Sequence, residues 1–201
     1  LATSLDGIVE GYAANPTVEG YAAALNALNG KIDEAKICLE NGRIYTLENK
    51  ERAANPYLGT STENDNIDGT HQIYQGYASV SGNEQKFGFV LNEDGTWKIF
   101  NEAAQTYLSV TQNYYRHVLQ VSDVAEAGNY RVTSSTDGWS QLVCTTPVAA
   151  AIPALHLSGE NKLVQWTDSE PASQWKSVPT NEMLTPSEQA ALEAERTIRG
   201  M

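Results

Sequence analysis

DGTWKIFN, residues 94–101, is a short strand with its turn attached: Asp94-Gly95 is a hairpin dipeptide, and Trp97, Ile99 and Asn101 share one face of a period of two. The chain writes the phrase twice more, as GRIYTLEN at 42–49 and DGWSQLVC at 137–144. Tyr45-x-Leu47-x-Asn49 and Ser140-x-Leu142-x-Cys144 match Trp97-x-Ile99-x-Asn101 place for place, and Tyr57-Leu58, Tyr107-Leu108 and His156-Leu157 follow. Further on, Ala78-x-Val80, Leu119-x-Val121 and Val164-x-Trp166 each precede an aromatic, Phe89, Tyr130 and Trp175, across eight residues. The segments between, SGNEQKFG, SDVAEAGN and TDSEPASQ, are small and polar, as loops are.

Three copies of a unit of about 40 to 50 residues, each with about four short strands, predict a mainly β chain. The repeated apolar positions fit a β-trefoil of three pseudo-repeats and six hairpins around one shared core. A propeller needs about four blades or more, and a two-sheet sandwich gives no reason for matched spacings. The β-domain is set at 43–180, with units at 43–93, 94–136 and 137–180.

The flanks read as helix. An N-terminal helical segment is expected over 1–42: Asn15-Pro16 is a cap with a first-turn proline, and Val18, Tyr21, Ala22, Leu25 and Leu28 recur at three and four. Asn29-Gly30 is expected to break it and Asn41-Gly42 to close it. A C-terminal helix is expected within 181–201, starting at the capping box of Thr185, Pro186 and Glu188.

The formal charge of −12 over 201 residues, 25 acidic against 13 basic, argues against nucleic acid and anionic membrane as partners. No apolar run approaches the roughly 18 residues of a membrane span. The chain starts at Leu1, which reads as a mature secreted form or a piece of a longer protein with adjacent domains. Cys38 and Cys144 are candidate disulfide partners or two buried thiols.

The order strand, DG turn, W-x-I-x-N, Y-L-S, L-x-V and finally ASQWKSVP resembles the ricin-type β-trefoil modules of secreted and surface proteins of gut Bacteroidetes, over about residues 43–179. The resemblance implies an extracellular or cell-surface module that binds carbohydrate. Lectins of that type carry Q-x-W near the end of each unit, where this alignment puts Phe87, Gly128 and Ser173 two residues before the aromatics.

Catalysis finds little support. His71, His117 and His156 stand in no G-x-S-x-G or cysteine-protease context, and Asp94 of the Glu93-Asp94 pair already has a turn to form, so a non-enzyme is expected. His156 reads as a packing residue in the place of Tyr57 and Tyr107, Trp166 as core beside Val80 and Val121, and His71 and His117 as surface. In the long loop 59–77, Asn64, Asn66 and Asp68 before Gly69 echo a calcium loop, but Asn stands first and Gln75 falls where a bidentate Glu is needed. No metal or cofactor is therefore expected.

The candidate ligand contacts are Asn113, Tyr114 and Tyr115 in the second unit and Asp65 and Asp68 in the long loop. A sugar stacks its C–H face on a ring and has its hydroxyls hydrogen-bonded by amides and carboxylates. The functional expectation is a non-catalytic, carbohydrate-binding extracellular module. The alternative is a structural or protein-interaction domain of a larger secreted or surface protein, with sugar binding lost.

Overall fold

The structure, a computed structural model, describes residues 8, 10–11, 13, 16–36, 39–67, 69–110, 117–134, 137–147 and 149–185. The chain divides into two compact units, 1–38 and 39–201.

In the first unit, helix α1 spans Val18–Lys36. Thr17, not Asn15, caps it: its Oγ1 accepts the Gly20 N–H at 3.0 Å, the geometry of an N-cap serving the third helical residue. The helix runs through Asn29-Gly30 without the expected break, because one glycine between good helix formers costs only about 1 kcal/mol. Val18, Tyr21, Leu25 and Leu28 of its apolar stripe are exposed.

The described residues of the second unit form strands and turns, with two short 3₁₀ turns at Asn83–Gln85 and Pro171–Ser173. Its strands are β1 Arg43–Asn49, β2 Tyr57–Asn64, β3 Gln72–Tyr77 and β4 Phe87–Leu91; β5 Trp97–Asn101, β6 Thr106–Leu108, β7 Gln120–Val121 and β8 Tyr130–Ser134; β9 Ser140–Cys144, β10 Ala154–Leu157, β11 Leu163–Trp166 and β12 Trp175–Met183. Antiparallel pairing runs β1-β4-β5-β8-β9-β12 and back to β1, a closed barrel of six strands. The other six form three hairpins, β2-β3, β6-β7 and β10-β11, each continuing a barrel strand. The hairpins meet one another through single bridges, Ile73 with Leu119, Gln75 with Lys162 and His117 with Val164. This is a β-trefoil.

The repeated phrase of the sequence marks the start of each third of the barrel. Gly42, Gly95 and Gly138 stand just before β1, β5 and β9 with φ of 78°, 78° and 80°, a left-handed backbone that glycine adopts without penalty. Gly42 thus opens the barrel instead of ending a helix. At the second copy Asp94 Oδ1 accepts from the Thr96 N–H at 3.0 Å and from its hydroxyl at 2.6 Å, which fixes the turn and lowers the Asp94 pKa.

Strand register shows which residues are equivalent. Trp175 pairs with Asn49, Phe87 with Asn101 and Tyr130 with Cys144, so the three closing aromatics are Phe87, Tyr130 and Trp175. Phe89 lies two residues further along β4. In the hairpins, Tyr57, Tyr107 and Ala154 are equivalent, facing Tyr77, Val121 and Trp166. The position read for His156 therefore belongs to Ala154, and Val80 has no part in the repeat, being 41% exposed. With this register the core is built around four triplets, every member 0% exposed: Leu47, Ile99 and Leu142; Leu58, Leu108 and Leu155; Tyr74, Val118 and Leu163; Phe87, Tyr130 and Trp175.

The corrected register also revises the Q-x-W comparison. Two residues before the true aromatics stand Gln85, Gly128 and Ser173, so the first unit carries Gln85-Lys86-Phe87. Gln85 is buried, and its Oε1 accepts the N–H groups of Ser81 and Gly82 at 3.1 Å each, tying down the loop before the aromatic.

β12 runs past residue 180 to Met183, and Leu184 is buried against Gly88, so this part of the expected C-terminal segment belongs to the barrel. The capping-box helix from 186 onward lies outside the described residues. Cys144 is a buried free thiol, and Cys38 also lies outside the described residues.

The asparagine of the repeat has a specific duty. Asn101 Nδ2 donates to the carbonyls of Glu84 and Lys86 at 3.0 and 2.9 Å, and its Oδ1 accepts the Ala104 N–H at 2.9 Å. Asn49 does the same, donating to Ala172 O at 2.8 Å and accepting from Glu51 and Arg52. Each pins the short 3₁₀ turn before a core aromatic. Asn101→Ala is expected to destabilise folding by about 2–4 kcal/mol in urea denaturation, because it strands buried polar groups. Asn101→Asp, which keeps the acceptor and loses both donors, should cost at least as much; a loss under about 1 kcal/mol for both variants would refute the assignment.

Candidate functional site

A cleft of about 380 Å³ opens on the outer side of the third hairpin, lined by His117, His156, Ser158, Gly159, Glu160, Val164 and Trp166. The alternation of β10 and β11 puts it there. Leu155, Leu157, Leu163 and Gln165 point into the core, so His156, Val164 and Trp166 face the other way. The His156 and Trp166 rings lie 6.4 Å apart at 52°. His117, from the second unit, reaches the same place because its backbone bridges to Val164.

The first repeat, residues 43–93, supplies supports on both sides of the cleft. Asp65 is 2% exposed; its Oδ1 lies 2.7 Å from His117 Nδ1 and its Oδ2 accepts the Ile67 N–H at 3.0 Å. An ionised carboxylate only accepts, so His117 donates through Nδ1–H and keeps Nε2 as its second polar atom. Arg52 Nε donates to Leu157 O at 3.0 Å and Ser158 O at 3.1 Å, fixing the turn that carries Ser158, Gly159 and Glu160. Gly76 N–H bonds Asn161 O at 2.8 Å, and Lys162 Nζ pairs with Glu63, securing the far side of that turn.

The state of His156 follows from its partner. Ser173 Oγ donates to the Thr167 carbonyl at 2.6 Å, which commits its only hydrogen. His156 Nδ1, 2.9 Å from that oxygen, must then be the donor, and the neutral ring is left with a bare Nε2 acceptor. Burial, and secondarily the Arg52 guanidinium, push the His156 pKa down to about 4, so the ring is neutral at pH 7.

Of the residues singled out in the sequence, Asp65 belongs to this site, as the buried support of His117 and not as a lining group. Asn64 and Gly69 close its loop internally, through Asn64 Nδ2 to Gly69 O at 3.3 Å. Asp68, Asn113, Tyr114 and Tyr115 lie outside the described residues. Trp166, read as core, is half-buried and lines the cleft, and His117 and His156, read as surface and packing residues, line it too. The available signal was the alternation in LVQW, 163–166, which sets Val164 and Trp166 opposite to Leu163. Among the described residues no three His, Cys, Asp or Glu side chains are placed to hold a metal ion, and no helix is long and apolar enough to cross a membrane.

No family model matches the sequence, and no curated protein matches it in sequence. Solved structures match in fold. The Rhizoctonia solani agglutinin has a TM-score of 0.56 at 18% identity, covering 72% of this chain and 99% of its own. The Macrolepiota procera ricin B-like lectin, solved with lactose, has 0.55 at 15%, over 71% and 99%. An exo-β-1,3-galactanase from Clostridium thermocellum has 0.55 at 16%, over 71% of this chain but 31% of the enzyme. The neighbours thus include ricin B-like lectins, and the likeness is one of fold.

His156 gives the site a pH signature. The folded ring titrates near 4 and an unfolded one near 6.5, so between these values the unfolded chain binds more protons. Its contribution to stability is whole above about pH 6.5 and is lost as pH falls towards 4. Unscreened, the difference amounts to roughly 3 kcal/mol; for a ring partly open to solvent about 1–2 kcal/mol is expected. His156→Gln retains a donor for Ser173 and does not titrate. Its stability curve should therefore be flatter than the parent's between pH 6.5 and 4, and parallel curves would contradict the assignment.

Proposed function

We propose that the protein is a non-catalytic carbohydrate-binding module and that this cleft is a binding site. The observation that carries the reading is the cleft's composition: an indole beside two oriented imidazoles, a hydroxyl and a carboxylate. The indole offers a flat apolar face to a pyranose, and the polar groups around it meet hydroxyls at the ring's edge. The volume lies at the small end of ligand sites, which run from about 300 to 1,000 Å³, and suits a sugar residue held at the rim of a glycan. Lectin neighbours of the same fold, one solved with lactose, support the reading. A role at the cell surface or outside the cell goes with it.

The test is a glycan array with the whole chain, beside Trp166→Ala and Trp166→Phe, each checked for folding by circular dichroism. Binding should appear for the parent, fall at least about tenfold in Trp166→Ala and survive in part in Trp166→Phe, as for a central aromatic anchor. Binding that ignores both substitutions would move the site elsewhere. No binding to any glycan would leave the module as a protein-interaction or spacer domain.

A further inference from the structure

Beside the Trp166 indole and the Ser158 hydroxyl, the carboxylate and imidazole groups that the described cleft offers are acceptors or stand against one. His156 presents a bare Nε2, since its Nδ1–H is committed to Ser173 Oγ. Glu160 is an exposed carboxylate on the rim. His117 donates its Nδ1–H to the buried Asp65 carboxylate. Glu160 is the one carboxylate among the described lining residues, which include no lysine or arginine.

The nearest described cations do not alter this. Arg52 is engaged by the carbonyls of Leu157 and Ser158 and lies 3.5 Å from Glu51. Lys162 is paired with Glu63. Neither lines the cleft. The whole chain, at −12, adds a field of the same sign.

Resting on the carbohydrate reading above, we infer that the cleft selects uncharged sugars and rejects those bearing sulfate, carboxylate or phosphate. A neutral pyranose brings hydroxyl donors to His156 Nε2 and Glu160, each of which gains a hydrogen bond that replaces one to water. An anionic substituent brings only acceptors. It meets the Glu160 carboxylate, with no guanidinium or ammonium among the described lining residues to receive it, so it forfeits its hydration without return. The discrimination is therefore built from repulsion as well as from attraction. Glu160 is its adjustable part, because it is exposed on the rim of the cleft.

The experiment uses an array on which uncharged galactosides, N-acetylglucosaminides, mannosides and glucans are each printed beside their 6-O-sulfated forms, probed with the whole chain and with Glu160→Gln at pH 7. Signal on the uncharged members, with each sulfated partner at least about tenfold weaker, is the expected result. Glu160→Gln should narrow that gap by about threefold, read as the ratio of sulfated to uncharged signal on each printed pair whatever the change in neutral binding, as for one exposed charge, and added salt should narrow it also. Equal or stronger binding of the sulfated forms overturns the inference and leaves carbohydrate binding standing. Silence on every spot overturns both.

Discussion

The pairing of the first barrel strand with the last is the constraint on which the rest depends. Six positions join β1 to β12, from Arg43 with Met183 to Asn49 with Trp175. Bringing such distant segments together has an entropic cost, but that cost grows only slowly with loop length. Closure also abolishes the free sheet edges of the barrel. Pro179, which has no N–H for the ladder, sits where the β1-β12 register shifts, the kind of place a strand tolerates proline. Because β12 continues to Met183, Leu184 arrives over Gly88 and joins a second buried cluster that includes Ile44, Ile73 and Phe100.

Closure makes the three units depend on one another, and the cleft inherits that dependence. Its floor is the third hairpin, one wall is His117 from the second unit, and its supports are Asp65, Arg52 and Glu63 from the first. No unit alone holds the site. Gln120 shows the same habit away from the cleft: its Nε2 donates to Ser61 O and Ile73 O, clamping the first hairpin from the second unit.

How much of this was legible in the sequence depends on what a period of two can say. The alternation in Trp97-x-Ile99-x-Asn101 and its two copies fixed both the strands and their equivalence, and the pairing of β1, β5 and β9 agrees with it. Elsewhere the pattern fixed only the face. A slip of one residue turns a strand inside out and is visible, whereas a slip of two preserves every inward position. Phe89 for Phe87 and His156-Leu157 for Ala154-Leu155 are both slips of two, each made attractive by a mimic that repeats the motif. Those two slips hid Gln85 as the Q-x-aromatic residue and gave His156 the packing role that belongs to the place of Tyr57 and Tyr107. Asp65 was legible as a polar residue of the long loop, but its contact with His117 joins residues 52 positions apart and has no local signature.

The equivalent positions explain why a cleft lies beside the third hairpin. The place of His156 is held by Gly59 in the first unit and Ser109 in the second. Gly59 lies under the ring of Tyr77, so close that a Cβ there would come within 2.8 Å of it. Ser109 is buried, its Oγ accepting the Leu119 N–H at 2.9 Å. Across each hairpin the facing pairs are Tyr57 with Tyr77, Tyr107 with Val121 and Ala154 with Trp166, the small alanine standing opposite the indole. Meanwhile the inward residues Leu58, Leu108 and Leu155 are alike and wholly buried. The inward positions carry the packing that closure requires, and the outward ones are left to differ. One hairpin can then acquire a ligand-sized recess with no change in the core that supports all three.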